Sequence, residues 1–148
     1  MAFEFPLQAV LHFREGIERQ QELRLRAANQ QVARMRHLLE QMEERSQELS
    51  AREARDLSSG ITAAELRFNL LCEAELQRHQ KELERELTRL EQLRDQQREI
   101  YRQARRARES LETLRDRQLA FYKKEAARRE QRNLDDQFLM RRQYLRRG

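Results

Sequence analysis

The stretch that decides the fold is Asp56-Leu57-Ser58-Ser59-Gly60-Ile61-Thr62, the clearest break in a chain of 148 residues. Gly60 readily adopts the positive-φ backbone that a tight turn often needs. Thr62 and Glu65 have the spacing of a capping box, in which each side chain bonds a free backbone N–H at a helix start. The sequence therefore predicts a turn over 58–61, between a first helix over 4–57 and a second over 62–145.

The composition around this break is typical of long helices. Charged residues make up 39% of the chain and apolar residues 38%, with one Pro, three Gly and no Trp. Abundant Ala, Glu, Leu, Arg and Gln favour helices, whereas a compact globule of this length needs more aromatic residues and more turns. We therefore expect one all-α coiled-coil domain over 1–148.

Apolar residues on both sides of the break recur three and four positions apart, which is the heptad pattern of packed helices. The series before the break contains Leu25, Ala28, Val32, Met35, Leu39, Met42 and Leu49. The series after it contains Leu76, Leu83, Leu87, Leu90, Leu93, Ile100, Ala104, Ala107, Leu111, Leu114 and Phe121. The three-residue step from Leu90 to Leu93 predicts a stammer, a local overwinding of the coiled coil.

The two series also mirror each other about residue 59. The matched pairs include Met42 with Leu76, Met35 with Leu83, Val32 with Leu87, Leu49 with Leu70, and Leu7 with Leu111. Such a mirror relation is expected of two antiparallel helices joined by a short turn. We therefore predict an antiparallel two-helix hairpin that is a monomer when free.

The predicted second helix is longer than the first by roughly 30 residues, so its end extends past its partner. This overhang still carries apolar residues at Ala127, Leu134, Phe138 and Leu145, with Tyr144 beside them. An uncovered apolar stripe marks a partner-binding surface or an oligomer contact. The overhang is therefore the first candidate for a functional site.

Charge is distributed unevenly along the chain. Residues 1–97 hold 15 basic and 18 acidic side chains, and residues 98–148 hold 16 basic and 8 acidic ones. A basic tail attracts anionic partners, which include acidic proteins, nucleic acid and lipid surfaces. Acidic residues interspersed with the arginines, and few aromatic residues for base stacking, argue against nucleic acid.

Features of enzymes and cofactor sites are missing from the sequence. It has no glycine-rich phosphate loop, no metal-spaced cysteines and no nucleophile elbow, so we expect no catalytic activity and no cofactor. Cys72, Glu75 and His79 share one helical face, but two strong ligands do not make a metal site. A single cysteine, and no stretch resembling a signal peptide or membrane span, predict a cytoplasmic protein.

Two short terminal segments carry the most specific motifs of the chain. The first is Phe3-x-Phe5-Pro6-Leu7-Gln8-x-x-Leu11, followed by Arg14-Glu15. The second is Arg129-Glu130-Gln131-x-x-Leu134-Asp135, near the end of the chain. Together with the chain length and the central turn, these segments resemble the family of flagellar FliJ export proteins. Between them the resemblance rests on coiled-coil character alone.

The resemblance implies a component of the bacterial flagellar type III protein export apparatus, which serves flagellum biogenesis and motility. Such a protein is a stalk-like coiled coil that binds the hexameric export ATPase and promotes its assembly and activity. It also connects the ATPase and its regulator with the cytoplasmic ring of the export gate and with substrate chaperones. The expected location is the cytoplasm, with peripheral association at the inner-membrane export apparatus and no insertion into the bilayer.

The resemblance and the overhang together predict two groups of partner-binding residues. The expected ATPase-binding residues are Phe121, Tyr122, Arg128, Arg129, Glu130, Gln131, Leu134, Asp135 and Phe138. The family motif at the N-terminus comprises Phe3, Phe5, Leu7, Leu11, Arg14 and Glu15. The alternatives are a structural coiled-coil scaffold that dimerises through the overhang, a basic helix pair that binds nucleic acid, and a virulence-type rather than a flagellar export stalk.

Overall fold

The computed structural model describes residues 2–148, which form two long α-helices packed against each other. Helix α1 spans Gln8–Ser59 and helix α2 spans Ala63–Arg147. No strand occurs within residues 2–148. The predicted all-α helical hairpin with a longer second helix is confirmed.

The turn has the chemistry that its sequence predicts. Gly60 has a φ of 87°, and no other described residue has a positive φ. The backbone N–H of Glu65 donates to Thr62 Oγ1 at 3.2 Å, and the N–H of Thr62 donates to Glu65 Oε2 at 3.3 Å. This reciprocal pair is a capping box, so the predicted start of the second helix is confirmed.

Helix boundaries differ from the expected ranges by a few residues. Helix α1 begins at Gln8 rather than at residue 4, because Pro6 lies in the turn that leads into the helix. It continues to Ser59 rather than ending at 57, since the hydroxyls of Ser58 and Ser59 donate to backbone carbonyls three residues earlier. Helix α2 begins at Ala63 because Thr62 is its N-cap, and it extends to Arg147.

The residues group into two compact units, which are described separately. The turn unit comprises residues 19–102 and contains the connection between the helices. The terminal unit comprises the described residues up to Glu18 together with Gln103 onward. The expectation of a single coiled-coil domain over the whole chain stays a prediction.

The burial pattern of the turn unit fits two registers of its helices. Buried and half-buried positions mirror each other about Ile61, in the pairs Leu25 and Gln97, Ala28 and Arg94, Val32 and Leu90, Met35 and Leu87, and Leu39 and Leu83. Pairs about the expected mirror point at residue 59, such as Met42 with Leu76 and Met35 with Leu83, are buried or half-buried as well. The turn between Ser59 and Ala63 is centred on Ile61, which favours the first register, and the mirror point at residue 59 stays a prediction.

Two polar residues of α2 lie in the seam, the buried line along which the helices pack. The apolar pattern had placed their apolar neighbours there instead. Leu93 and Ile100 are 44% and 46% exposed, whereas Arg94 and Gln97 beside them are half-buried. Positions 87, 90, 94 and 97 keep an unbroken alternation of four and three, so the predicted stammer is wrong. The seam accommodates Arg94 because a long side chain buries its alkyl stem while its guanidinium reaches out, here to Asp95 at 3.2 Å.

The terminal unit has a small apolar core near the start of the chain. Leu11 is fully buried and Phe5 is 8% exposed, so the residues around the start of α1 are packed within the terminal unit. Every residue of α2 from Ala126 onward is exposed. The longer second helix therefore ends in a segment without a covering partner in this chain, as the sequence predicts.

Candidate partner-binding surfaces

The first residues of the chain form a short non-helical segment in the terminal unit. Residues 2–7, here called the N-terminal strap, precede α1 and contain Phe3, Phe5 and Pro6. The backbone N–H of Gln8 donates to the carbonyl of Phe5 at 3.1 Å, which closes the turn into the helix. Pro6 suits this turn because its fixed φ is compatible with the residues that lead into a helix.

An aromatic contact attaches the strap to α2. The ring centroids of Phe3 and Tyr122 lie 5.5 Å apart, with the ring planes inclined by 48°. Tilted aromatic pairs at such distances contribute about 0.5–1.5 kcal/mol beyond the area they bury. This contact brings one residue of the N-terminal family motif together with one of the expected ATPase-binding residues.

The remaining residues of the N-terminal motif have different surroundings. Phe5 and Leu11 are buried, which makes them packing residues, whereas Leu7 is 38% exposed. Arg14 is exposed, and half-buried Glu15 lies 3.6 Å from Nδ1 of His12. The motif is therefore partly a structural element, with Leu7 and Arg14 left on the surface.

The overhanging end of α2 presents apolar side chains to solvent. Leu134, Phe138 and Leu145, here called the terminal stripe, are 55%, 65% and 79% exposed. Their spacing of four and then seven residues places them on one helical face. Leu139, Met140 and Tyr144 are exposed as well. Contiguous exposed apolar surface on a helix is typical of a protein–protein contact.

Short-range polar contacts surround this stripe. Arg128 Nη1 donates to Glu125 Oε1 at 3.1 Å, and Gln131 Nε2 donates to Asp135 Oδ1 at 3.0 Å. Pairs three or four residues apart stabilise an exposed helix by a few tenths of a kcal/mol. Arg129 and Glu130 are exposed and form no ion pair within residues 2–148. The charged members of the expected site are thus displayed on the helix surface.

A half-buried ion-pair network lies inside the terminal unit. Arg108 contacts both Glu18 of α1 and Glu112 of α2, and the Arg108 and Glu18 side chains are 20% and 16% exposed. The hydrogen bond with Glu18, helped by the one with Glu112, raises the pKa of the Arg108 guanidinium. This network holds the two helices together and is a structural element rather than a docking surface.

A second apolar surface, which the sequence analysis did not identify, lies in the turn unit. The turn-end patch comprises Leu49, Phe68, Leu71 and Cys72, which line an open groove together with Glu75, Leu76 and His79. Phe68 and Leu71 are 66% and 70% exposed. The sequence did contain a signal for this patch. Phe68, Leu71, Cys72 and Glu75 are spaced three and four residues apart, so they share one helical face outside the heptad seam.

Residues 2–148 contain neither a candidate membrane span nor a cluster of metal-binding side chains. Neither helix has a stretch long and apolar enough to cross a bilayer. In the same residues, no group of three or more His, Cys, Asp or Glu side chains has an arrangement that could hold a metal ion. Cys72 is a free, exposed cysteine on the turn-end patch.

Comparisons with known proteins identify the family. A family model described as "Flagellar FliJ protein" matches residues 3–148. Searches of curated proteins and of solved structures returned no match. The family match covers nearly the whole chain and includes both terminal motifs. The chain belongs to the flagellar FliJ family and is a component of the flagellar protein export apparatus.

Proposed function

We propose that this protein is a non-catalytic, stalk-like subunit that binds the hexameric flagellar export ATPase and promotes its assembly and activity. The terminal stripe carries this proposal, because Leu134, Phe138 and Leu145 are exposed at the end of α2. Exposure of such side chains to water is unfavourable, at roughly 25 cal/mol per Å² of apolar surface. Covering them in a complex recovers that free energy and provides an anchor for binding.

The polar surroundings of the stripe suit a contact inside a ring of subunits. The proposed ATPase-binding residues comprise Phe121, Tyr122, Arg128, Arg129, Glu130, Gln131, Leu134, Asp135 and Phe138. Apolar anchors surrounded by exposed charged and amide groups have the composition of a typical protein interface. The charged groups contribute orientation and rate of association, while the apolar anchors contribute most of the affinity.

The turn-end patch supports a second part of the proposal, which is contact with other export components. Phe68 and Leu71 provide exposed apolar area in the turn unit, and His79 and Glu75 supply polar groups at its border. We propose that this patch contacts one of the further export components, which are the cytoplasmic ring of the export gate, the substrate chaperones and the ATPase regulator. The proposed location is the cytoplasm, with peripheral association at the export apparatus.

The test is a double variant of the stripe with a matched control. Leu134→Ala with Phe138→Ala removes two exposed anchors, and Leu23→Ala with Phe13→Ala removes residues of the same types that are 64% and 66% exposed on α1. We expect the stripe variant to lose about 2–4 kcal/mol of binding to the ATPase, as for buried interface anchors. The control should bind, stimulate ATP hydrolysis and support motility like the parent protein.

Thermal unfolding of the same variants separates binding from folding. A stripe variant with unchanged melting temperature and lost stimulation supports the proposal. Unchanged stimulation in that variant would show that the ATPase is not held by the terminal stripe. Sedimentation of the free protein tests the scaffold alternative, because a dimer that dissociates in the stripe variant would assign the stripe to self-association.

A further inference from the structure

An open groove lies beside the N-terminal strap, within the terminal unit. It has a volume of about 570 Å³ and is bordered by the strap residues Phe3 and Pro6 and by Phe121 and Tyr122 of α2. Volumes of roughly 300–1,000 Å³ with mostly apolar and aromatic walls are typical of ligand sites. Phe121 is 66% exposed in this groove, so its ring is available to a bound group.

Two guanidinium groups border the same groove. Arg117 and Arg129 both line it, and neither forms an ion pair with a carboxylate among the described residues 2–148. Many arginines elsewhere on α2, such as Arg89 and Arg108, do have a carboxylate partner. An unpaired guanidinium beside an aromatic wall is well suited to bind a carboxylate of a ligand.

The charged side chains that line the groove have a net positive charge once the ion pair of Glu125 is counted. Glu125 also lines it, but its carboxylate accepts a hydrogen bond from Arg128 at 3.1 Å. Glu4 is the remaining acidic residue of the lining, so one carboxylate stands against the two guanidinium groups of Arg117 and Arg129. An apolar groove with this balance complements a ligand that is apolar in the middle and acidic towards its ends.

We propose that this groove binds an acidic peptide segment of a partner protein, with an apolar side chain placed between Phe3 and Phe121 and carboxylates placed at Arg117 and Arg129. The two arginines are twelve residue steps apart on α2, which is about 18 Å along the helix. An extended peptide covers that distance with about five residue steps at 3.3 Å each. The inference goes beyond the proposed function, because it names a peptide ligand for the groove, although Phe121, Tyr122 and Arg129 also belong to the proposed ATPase-binding residues.

The test uses a fluorescent hexapeptide with glutamates at both ends and a phenylalanine in the middle. Its binding to the full-length protein is measured by fluorescence anisotropy, alongside one peptide with glutamines at both ends and another with alanine in the middle. We expect the parent peptide to bind at least tenfold more tightly than either control peptide. It should also bind more weakly as salt is raised, because surface charges are screened.

Protein variants then assign the binding to the groove. Arg117→Glu with Arg129→Glu should weaken binding of the parent peptide at least tenfold, and Phe121→Ala should weaken it severalfold. The matched control, Arg52→Glu with Arg67→Glu, changes the net charge equally at exposed arginines of the turn unit and should bind normally. Circular dichroism checks that each variant keeps its helices.

Three results would overturn the inference. The first is equal loss of peptide binding in the groove variant and in the charge-matched control, which would show that net charge alone acts. The second is equal binding of the glutamine-ended peptide, which would remove the role of the arginines. The third is groove-dependent binding of single-stranded DNA or anionic phospholipid vesicles without peptide binding. The ATPase is absent from this experiment, so its outcome is independent of the stripe test.

Discussion

The guanidinium of Arg108 in α2 forms a two-point ion pair with the carboxylate of Glu18 in α1, with Nε 2.6 Å from Oε2 and Nη2 3.1 Å from Oε1. The third guanidinium nitrogen, Nη1, donates to Glu112 Oε2 at 2.5 Å. The planar guanidinium matches a carboxylate in this geometry, so the pair restricts how the two helices can slide along each other. The terminal unit therefore has a polar element that specifies its register.

We predict that Glu18→Gln lowers the free energy of unfolding by about 1–2 kcal/mol, because a half-buried, charge-assisted pair is weakened. The matched control is Glu22→Gln, which removes an exposed contact with Arg26 four residues away and should cost no more than about 0.5 kcal/mol. Urea unfolding followed by circular dichroism measures both. Equal effects of the two variants would mean that burial gives the Arg108 pair no extra stability.

The pH dependence of this effect follows from the raised pKa of Arg108. A cation whose pKa is higher in the folded state contributes its full stability below the unfolded-state pKa, which is above about 12 for arginine. That stability is lost only as the pH rises through the still higher folded-state pKa. The difference between the parent and Glu18→Gln should therefore stay constant from pH 7 to pH 10. A difference that shrinks over this range would contradict a permanently charged Arg108.

Disulfide cross-linking tests the register of the turn unit. Cysteines at Val32 and Leu90, in a Cys72→Ser background, should cross-link within one chain at low protein concentration, because these positions mirror each other about Ile61. Cysteines at Val32 and Leu87 form the control pair and should cross-link more slowly. Faster linkage of the control pair would favour the mirror point at residue 59. Linkage only between chains would indicate a dimer of long helices.

Two leucine-to-alanine substitutions distinguish a core position from a surface position. Leu11→Ala should lower the free energy of unfolding by about 2–5 kcal/mol, because Leu11 is fully buried. Leu134→Ala should change it by no more than about 0.5 kcal/mol, because Leu134 is 55% exposed on the terminal stripe. Thermal and urea unfolding measure both. A large loss for Leu134→Ala would place that side chain in a core rather than on a free surface.

Glycine substitutions test the turn with an internal control. Gly60→Ala should destabilise the protein by about 1–2 kcal/mol, because a side chain disfavours the φ of 87° even though the added Cβ meets no atom within 4 Å outside the neighbouring residues. Gly16→Ala should instead stabilise it by about 0.5–1 kcal/mol, since Gly16 lies inside α1 and its added Cβ points into open space. An unchanged or raised melting temperature for Gly60→Ala would contradict the role of Gly60 in the turn.

Local chemistry determined the parts of the fold that the sequence predicted correctly. The capping box of Thr62 and Glu65 and the positive φ of Gly60 depend on residues within a few positions of each other, so they are readable without knowing the partner helix. The helical character of α1 and α2 follows from composition and spacing in the same way. The exposed terminal stripe was predictable too, because it follows from the difference in length between the helices.

Long-range packing determined the rest. The centre of the turn at Ile61 depends on where α1 stops, and α1 continues to Ser59, where the hydroxyls of Ser58 and Ser59 bond backbone carbonyls of its last turn. The half-buried Gln97 donates to Gln21 on the facing helix, a partner that the pattern of a single helix does not reveal. The contact between Phe3 and Tyr122, and the groove beside it, bring together residues more than 100 positions apart. Helix periodicity gives the face of each residue, but only the packed helices decide which residues lie opposite each other.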